Sequence, residues 1–174
     1  MAMLDLAAVP TLETARLRLR RPEAADLEPL HAMLADPAVA RWLGGVVPDR
    51  EQAWRALALS LGHWTLRGYG PLAVEERAGG RLVGRVGLFF PAGWPGIELG
   101  WTIARPFWGL GYAGEAARAV RAWARAELQL KAPISLIVPE NWRSRRVAEK
   151  LGAAIERRIE LRGLPVDIWR HPAA

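Results

Sequence analysis

Residues 106–115 read Pro106-Phe107-Trp108-Gly109-Leu110-Gly111-Tyr112-Ala113-Gly114-Glu115, and the patterns on either side of this stretch decide the fold. Before it, Ile97, Leu99, Trp101 and Ile103 alternate with Glu98, Gly100 and Thr102, the period of a strand over 97–104. After it, Ala116, Ala117, Val120, Trp123, Ala124 and Leu128 share one stripe while Arg118, Arg121 and Arg125 fall elsewhere, which predicts the longest helix of the chain. Glycines at 109 and 111 let the backbone turn tightly, so successive amide N–H groups can point at one anion beside the positive end of the helix dipole. A Gly-x-Gly between strand and helix is equally the mark of a plain turn. The Lys-Ser/Thr of a P-loop is missing, and the segment lies far from the N-terminus in a non-alternating pattern, which argues against a dinucleotide fold.

Outward from the loop, Leu17 and Leu19 alternate with Arg16, Arg18 and Arg20 as a half-buried strand that stops at Pro22. Two helical patterns follow, 22–34 with Leu27, Leu30, His31 and Leu34, and 50–66 with Ala53, Trp54, Leu57 and Leu61. Strands are expected over 71–77 and 81–90, joined at Ala78-Gly79-Gly80, so that with 97–104 they make an antiparallel meander. Beyond the long helix come a short apolar strand at 134–138, a helix at 144–151 ending at Gly152, and a hairpin of 153–161 with 165–171 around Arg162-Gly163. With no internal repeat, low-complexity tract or linker, residues 1–174 read as a single α/β or α+β domain.

At 174 residues, folding removes about 70% of the accessible surface, enough for a core without staples. Cysteine is absent and His31, His63 and His171 lie far apart, so neither a disulfide framework nor a spaced zinc site is supported; no metal is expected, and the cytoplasm is the expected compartment. The longest uncharged runs, such as 86–97, fall short of the roughly 18 residues of a membrane span. Residues 1–10 carry Asp5 and no basic n-region, so neither a membrane partner nor a signal peptide is expected. The net charge of +6 comes from 24 basic residues, of which only Lys131 and Lys150 are lysines. Arginine's fork suits a phosphorylated ligand, although arginine beside so much Ala, Gly and Pro suits a GC-rich genome as well. The arginines are scattered rather than striped, and neither a helix-turn-helix nor an aromatic RNA-binding signature is present, so nucleic acid is not an expected partner.

Trp108-Gly109-Leu110-Gly111-Tyr112-Ala113 resembles the acyl-CoA loop of the GNAT superfamily, Gln/Arg-x-x-Gly-x-Gly/Ala followed by a helix, with Gly111 and Ala113 in place and Trp108 where Gln or Arg is usual. The longer run Trp-Gly-x-Gly-Tyr-Ala-x-Glu-Ala over 108–116 is similar to the RimJ/RimL branch of ribosomal-protein N-terminal acetyltransferases. Residues 141–152 resemble the family's Asn-x-x-Ser helix with its Lys-Leu-Gly ending, and residues 12–21 with Asp26 resemble its opening strand and helix. Together the matches span about residues 11–170 in the expected order. The resemblance implies a mixed, mostly antiparallel sheet splayed at the acyl-CoA site, with helices on both faces. It also implies transfer of acetyl from acetyl-CoA directly to a primary amine, foremost a protein or peptide N-terminal α-amine. A small amine such as an aminoglycoside, or a catalytically silent acyl-CoA-binding module, are the alternatives; homodimer formation stays open.

By the same resemblance the pantetheine arm lies between strands 97–104 and 134–138, with cofactor contacts at Ile103, Ala104, Arg105, Trp108, Gly109, Leu110, Gly111, Tyr112, Ala113, Asn141 and Ser144. An N–H near Ile103 or Ala104 is expected to face the thioester oxygen. Glu98 is the candidate base, because alternation places it beside Gly100, which leaves space; a solvated strand carboxylate reads identically. Glu75 and Asp167 are weaker candidates, expected at strand edges in water. Ser144 is the candidate acid, since the Tyr many relatives use near this helix is missing and Tyr69 and Tyr112 lie elsewhere; it reads equally as an N-cap or a CoA contact. Asn141 orients substrate or caps a turn. Arg143, Arg145 and Arg146 either meet phosphates or stay solvated, while Trp42, Trp64, Trp94 and Trp142 either shape an acceptor cleft or, as is usual for aromatics at such spacing, pack in the core or rim, and are assigned no site. At pH 7 only ~0.04% of a lysine amine is neutral against roughly 10 to 15% of an α-amine, so an α-amine needs less help from a base.

Overall fold

A computed structural model describes residues 5–173, so the expectation for residues 1–10 falls partly outside the described residues. Eight strands form one sheet in the order β1-β2-β3-β4-β5-β6-β8-β7. They are β1 (Leu12–Glu13), β2 (Leu17–Arg20), β3 (Pro71–Glu76), β4 (Leu82–Phe89), β5 (Glu98–Ile103), β6 (Ile134–Ile137), β7 (Ala154–Leu161) and β8 (Leu164–Arg170). Neighbours run antiparallel except β5 and β6, which are parallel. Leu17, Leu19, Leu72, Leu88 and Leu99 are fully buried because alternation turns them all toward one face.

That face is covered by α4 (Tyr112–Leu128), through Ala116, Ala117, Val120 and Ala124; small residues let the helix lie close to the sheet. On the opposite face, α1 (Leu27–Ala35) and α3 (Arg50–Arg67) pack together through Leu30, Met33, Leu34, Ala53 and Leu57. The short α2 (Pro37–Ala40), capped by Asp36, and α5 (Trp142–Lys150) complete a mixed sheet with helices on both sides, as the resemblance implies.

Strand boundaries fall within a residue or two of those expected, and helices depart further. The pattern at 22–34 divides into a 3-10 turn at Ala24–Asp26 and α1, because the Asp26 carboxylate accepts from Glu23 N–H and Arg20 and so pins the turn. On α3 the buried stripe is Ala53, Leu57, Ser60 and Trp64, while Trp54 is 56% exposed. Polar side chains entered that stripe by bonding locally: Ser60 Oγ donates to Ala56 O, and His63 Nδ1 bonds Tyr69 O. The last helix starts at Trp142, not 144, because Asn141 Oδ1 accepts from Ser144 N–H at 3.2 Å. Asn141 is therefore the cap, and Ser144 lies in the first turn.

Candidate active site

The parallel pairing of β5 with β6 is confined to Glu98 opposite Ile134, where Ile134 N–H donates to Ile97 O at 3.0 Å. One step on, a side chain replaces the ladder bond: Ser135 Oγ donates to Leu99 O at 2.6 Å. Because that hydroxyl is committed, it accepts from His171 Nε2–H at 2.9 Å, and His171 Nδ1 is left bare and buried. Burial pushes His171 down to about 4, with the charge of Arg121 adding to it. Past Ser135 the strands part and leave a cleft through the sheet. Ala104 N–H donates to Val83 O at 2.9 Å, so it is spent on the β4 side and is not free to meet a thioester oxygen. Antiparallel alternation then turns the N–H groups of Trp101 and Ile103 toward the cleft instead.

At the mouth of the cleft a 3-10 turn, Arg105–Phe107, leads into the glycine loop, and Trp108 Nε1 hooks back to Ile103 O at 2.7 Å. Gly109 and Gly111 adopt φ values of 81° and 83°, a region where a Cβ would be strained. The first bond of α4 is Glu115 N–H to Gly111 O, so the N–H groups of Tyr112, Ala113 and Gly114 have no acceptor in the helix. Among the described residues no other backbone carbonyl takes them, nor those of Leu110 and Gly111. Five donors gathered at a helix N-terminus fit a pyrophosphate.

The loop is braced from outside. Arg16 Nε donates to Glu115 at 2.7 Å and Nη1 to Leu110 O at 2.8 Å, and Thr14 Oγ1 donates to Glu115 at 2.6 Å. Two of the expected contacts are corrected in kind: the Tyr112 ring is buried with its hydroxyl on Glu76 at 2.6 Å, which leaves only its backbone for a ligand. Arg105 lies on the surface with Nε 3.1 Å from Asp36 Oδ2.

Glu98 projects on the α1/α3 face of the sheet, leaning over Gly100: a Cβ on that glycine would sit 3.5 Å from Oε1. Trp94 Nε1 donates to Oε2 at 2.6 Å, and the N–H of Leu136, whose ladder partner is missing at the cleft, points at the same carboxylate. Burial pushes Glu98 up to about 7; the Trp94 bond, Leu136 N–H and the charge of Arg85 hold it from rising further. Phe89 meets the Trp94 ring edge-on at 5.5 Å, and Arg162 lies over it at 4.9 Å. The two rival carboxylates are not in water at strand edges as expected. Asp167 is 3% exposed and held by Arg158 at 2.7 and 3.1 Å, and Glu75 is partly buried against Arg20 at 2.7 Å.

On the α4 face, Ser144 Oγ accepts from Trp101 Nε1 at 3.3 Å. Glu98 and Ser144 thus lie on opposite faces of the sheet, joined only through the cleft. Arg143 lies over Trp108 at 5.0 Å and over Trp142 at 4.4 Å, spanning from loop to helix, while Arg145 Nη1 bonds Pro139 O. The sequence reading does not name Arg85, takes Arg16 only as the polar side of a strand and assigns Trp94 to no site. Their roles depend on strand register, which residue types alone do not carry.

A family model described as an acetyltransferase (GNAT) domain matches residues 16–154. The chain is 32% identical to the uncharacterized protein YkkB of Bacillus subtilis (strain 168) over 167 residues, covering 91% of this chain and 93% of that one. Among solved structures, an acetyltransferase from Agrobacterium tumefaciens superposes with a TM-score of 0.85 at 30% identity, covering 94% of this chain and 95% of that one. RimL, a ribosomal L7/L12 alpha-N-protein acetyltransferase solved with coenzyme A, superposes with a TM-score of 0.77 over 94% of this chain and 98% of its own; at 15% identity it shares the fold alone.

Proposed function

The chain belongs to the acetyltransferase (GNAT) family and is an acyl-CoA-dependent acetyltransferase, and on that premise we propose that its acceptor is the α-amine of a protein or peptide N-terminus. Acetyl-CoA supplies the acyl group as an activated thioester. The backbone N–H groups of Leu110, Gly111, Tyr112, Ala113 and Gly114 hold the pyrophosphate, and the free backbone of Trp101 and Ile103 lines the cleft for the amide-rich arm. Ile103 N–H faces the developing oxyanion. Glu98 takes one proton from the acceptor's ammonium, the neutral amine attacks the thioester carbonyl, and as the C–S bond breaks Ser144 Oγ, which accepts from Trp101 Nε1–H, gives its proton to the departing sulfur and regains one from the second proton that the acetylated nitrogen sheds.

The observation that carries the acceptor reading is the place of Glu98, at the point where β5 and β6 part, with Trp94 Nε1 on Oε2 at 2.6 Å and burial raising the carboxyl. With the carboxylate at about 7, an α-ammonium at about 7.7 to 8.0 gives up its proton against roughly 1 kcal/mol, whereas a lysine at about 10.4 would do so against roughly 4 to 5 kcal/mol. RimL, named for an α-N-protein activity, has an acceptor of this kind, and the run over 108–116 favours the RimJ/RimL branch. The cytoplasm is the compartment this reading implies.

The test is release of free CoA with peptides bearing either a free N-terminus or a blocked one with an internal lysine, alongside aminoglycosides. We expect free N-termini to be preferred and the acid limb of kcat/KM to lie near pH 7. Glu98→Gln should lower kcat by ~10²- to 10⁴-fold and abolish that limb. An unaltered pH profile removes Glu98 as base; preference for the lysine or the aminoglycoside removes the acceptor.

A further inference from the structure

Arg85 stands on β4 directly opposite Thr102, on the same face of the sheet as Glu98. Two register steps separate them, Arg85 with Thr102, Gly87 with Gly100, Phe89 with Glu98, so their Cα positions along the strands are about 13 Å apart. The arginine stem and the lean of Glu98 over Gly100 shorten that span. Among the described residues the guanidinium makes no hydrogen bond and no ion pair, and the sole charge that favours its cationic form is that of Glu98, beyond pairing distance. The other nearby acids are already engaged: Asp26 takes both terminal nitrogens of Arg20, and Glu75 takes its Nε. Away from Glu98 the residue borders a cavity of about 20 Å³ between Leu30, Leu57, Ser60 and Ala73, room for a single water and no more. An anion larger than water reaches this charge from outside that cavity, where the same face of the sheet carries Glu98.

Arg85 is half-buried and no protein group pairs with its guanidinium, and arginine in that state is the residue type best fitted to fork onto a carboxylate. Charge bookkeeping makes the need sharper. When the acceptor's ammonium passes its proton to Glu98, that carboxylate becomes neutral, and the acids that stay near Arg85, Asp26 and Glu75, are both engaged with Arg20. An acceptor that carries its own anionic oxygen keeps the site neutral throughout.

Resting on the N-terminal acetyltransferase reading, we infer that Arg85 binds a carboxylate of the acceptor beside the amine presented to Glu98, so that the substrate class is an acidic peptide N-terminus, with Asp or Glu among the first residues. The net charge of +6 attracts such a substrate rather than a polycation.

Matched peptides differing only in Asp against Asn at the second position test this with the wild-type protein. The acidic member should have a kcat/KM about 10-fold or more higher, the scale of a charge-assisted hydrogen bond. In Arg85→Gln that preference should vanish through KM, the neutral peptide changing less than about 3-fold and acetyl-CoA affinity not at all; Arg85→Lys should fall between. If no peptide is turned over, the N-terminal reading fails, and an amino acid against its amide asks the same question of Arg85. Equal rates for the charged and neutral members of every pair overturn the inference. So does an Arg85→Gln protein that slows both members alike and moves the acid limb for both, because Arg85 would then only tune Glu98.

Discussion

Trp94 touches Glu98 through one atom, Nε1, at 2.6 Å, while the rest of its ring is held by Phe89 at the edge and Arg162 at the face. A donor aimed at a carboxylate stabilises the charged form, so this bond opposes the burial that drives Glu98 upward. Trp94→Phe keeps an aromatic ring for Phe89 and Arg162 but deletes the N–H. The acid limb of kcat/KM should then move to higher pH by about one unit, matching the ~1.5 kcal/mol of a weak charge-assisted bond. A limb that stays in place would mean that Trp94 is only a wall. In the sequence Trp94 reads as rim packing, since an aromatic in a Pro/Gly-rich connection usually is. Its position over Glu98 depends on the fold of residues 91–96, which no periodicity describes.

The glycine loop is an element held by its neighbours rather than by itself. Arg16 joins Glu115, Leu110 O and the Tyr112 ring, 4.7 Å below its guanidinium, and Glu76 receives both Tyr112 and Arg81, the latter at 2.6 Å. Arg16 is about half exposed, and exposed ion pairs add little to global stability. Its effect should appear in loop order instead. Arg16→Met is expected to weaken acetyl-CoA binding by roughly 10-fold in calorimetry with almost no change in thermal midpoint, and Glu115→Gln should add little to it because both break one network. Additive losses would show two independent sites. The loop's glycines and following helix were legible in the sequence because backbone freedom and helical period are local properties. Strands were legible for the same reason, Leu17 and Leu19 burying as their alternation predicts. Illegible were contacts between distant segments: the spent N–H of Ala104, the cap at Asn141 that displaced Ser144, and the engaged carboxylates of Glu75 and Asp167. Each depends on which strand or turn lies alongside.

For the molecule as a whole, the cleft that parts β5 from β6 lies between the Glu98 carboxylate on one face of the sheet and the Ser144 hydroxyl on the other, and the stability of the chain bears the cost of the first. Glu98 has a folded value of about 7 against an ordinary 4.5. A carboxyl raised in this way binds its proton more tightly folded than unfolded. Its contribution is therefore fully favourable below about 4.5, is lost as pH rises to about 7, and then stays lost. The loss is on the order of 3 kcal/mol. His171, pushed down to about 4, works in the opposite sense, since its neutral form supports folding above 6.5 and fails as pH falls toward 4. Wild-type stability mixes both with the titration of other acids, so the difference between proteins is the clean quantity. Glu98→Gln should match wild type in thermal midpoint near pH 4.5, pull ahead steadily to pH 7, and hold a constant lead above it, at most roughly 6 to 12 °C for a chain of this size. That lead would belong to a protein slowed as proposed for Glu98, the usual relation between a half-buried charge kept for activity and the fold that tolerates it. Calorimetric scans of both proteins across pH 4.5 to 8 decide it: a constant difference at every pH would mean that Glu98 titrates as an ordinary surface acid, and the base assignment would fall with it.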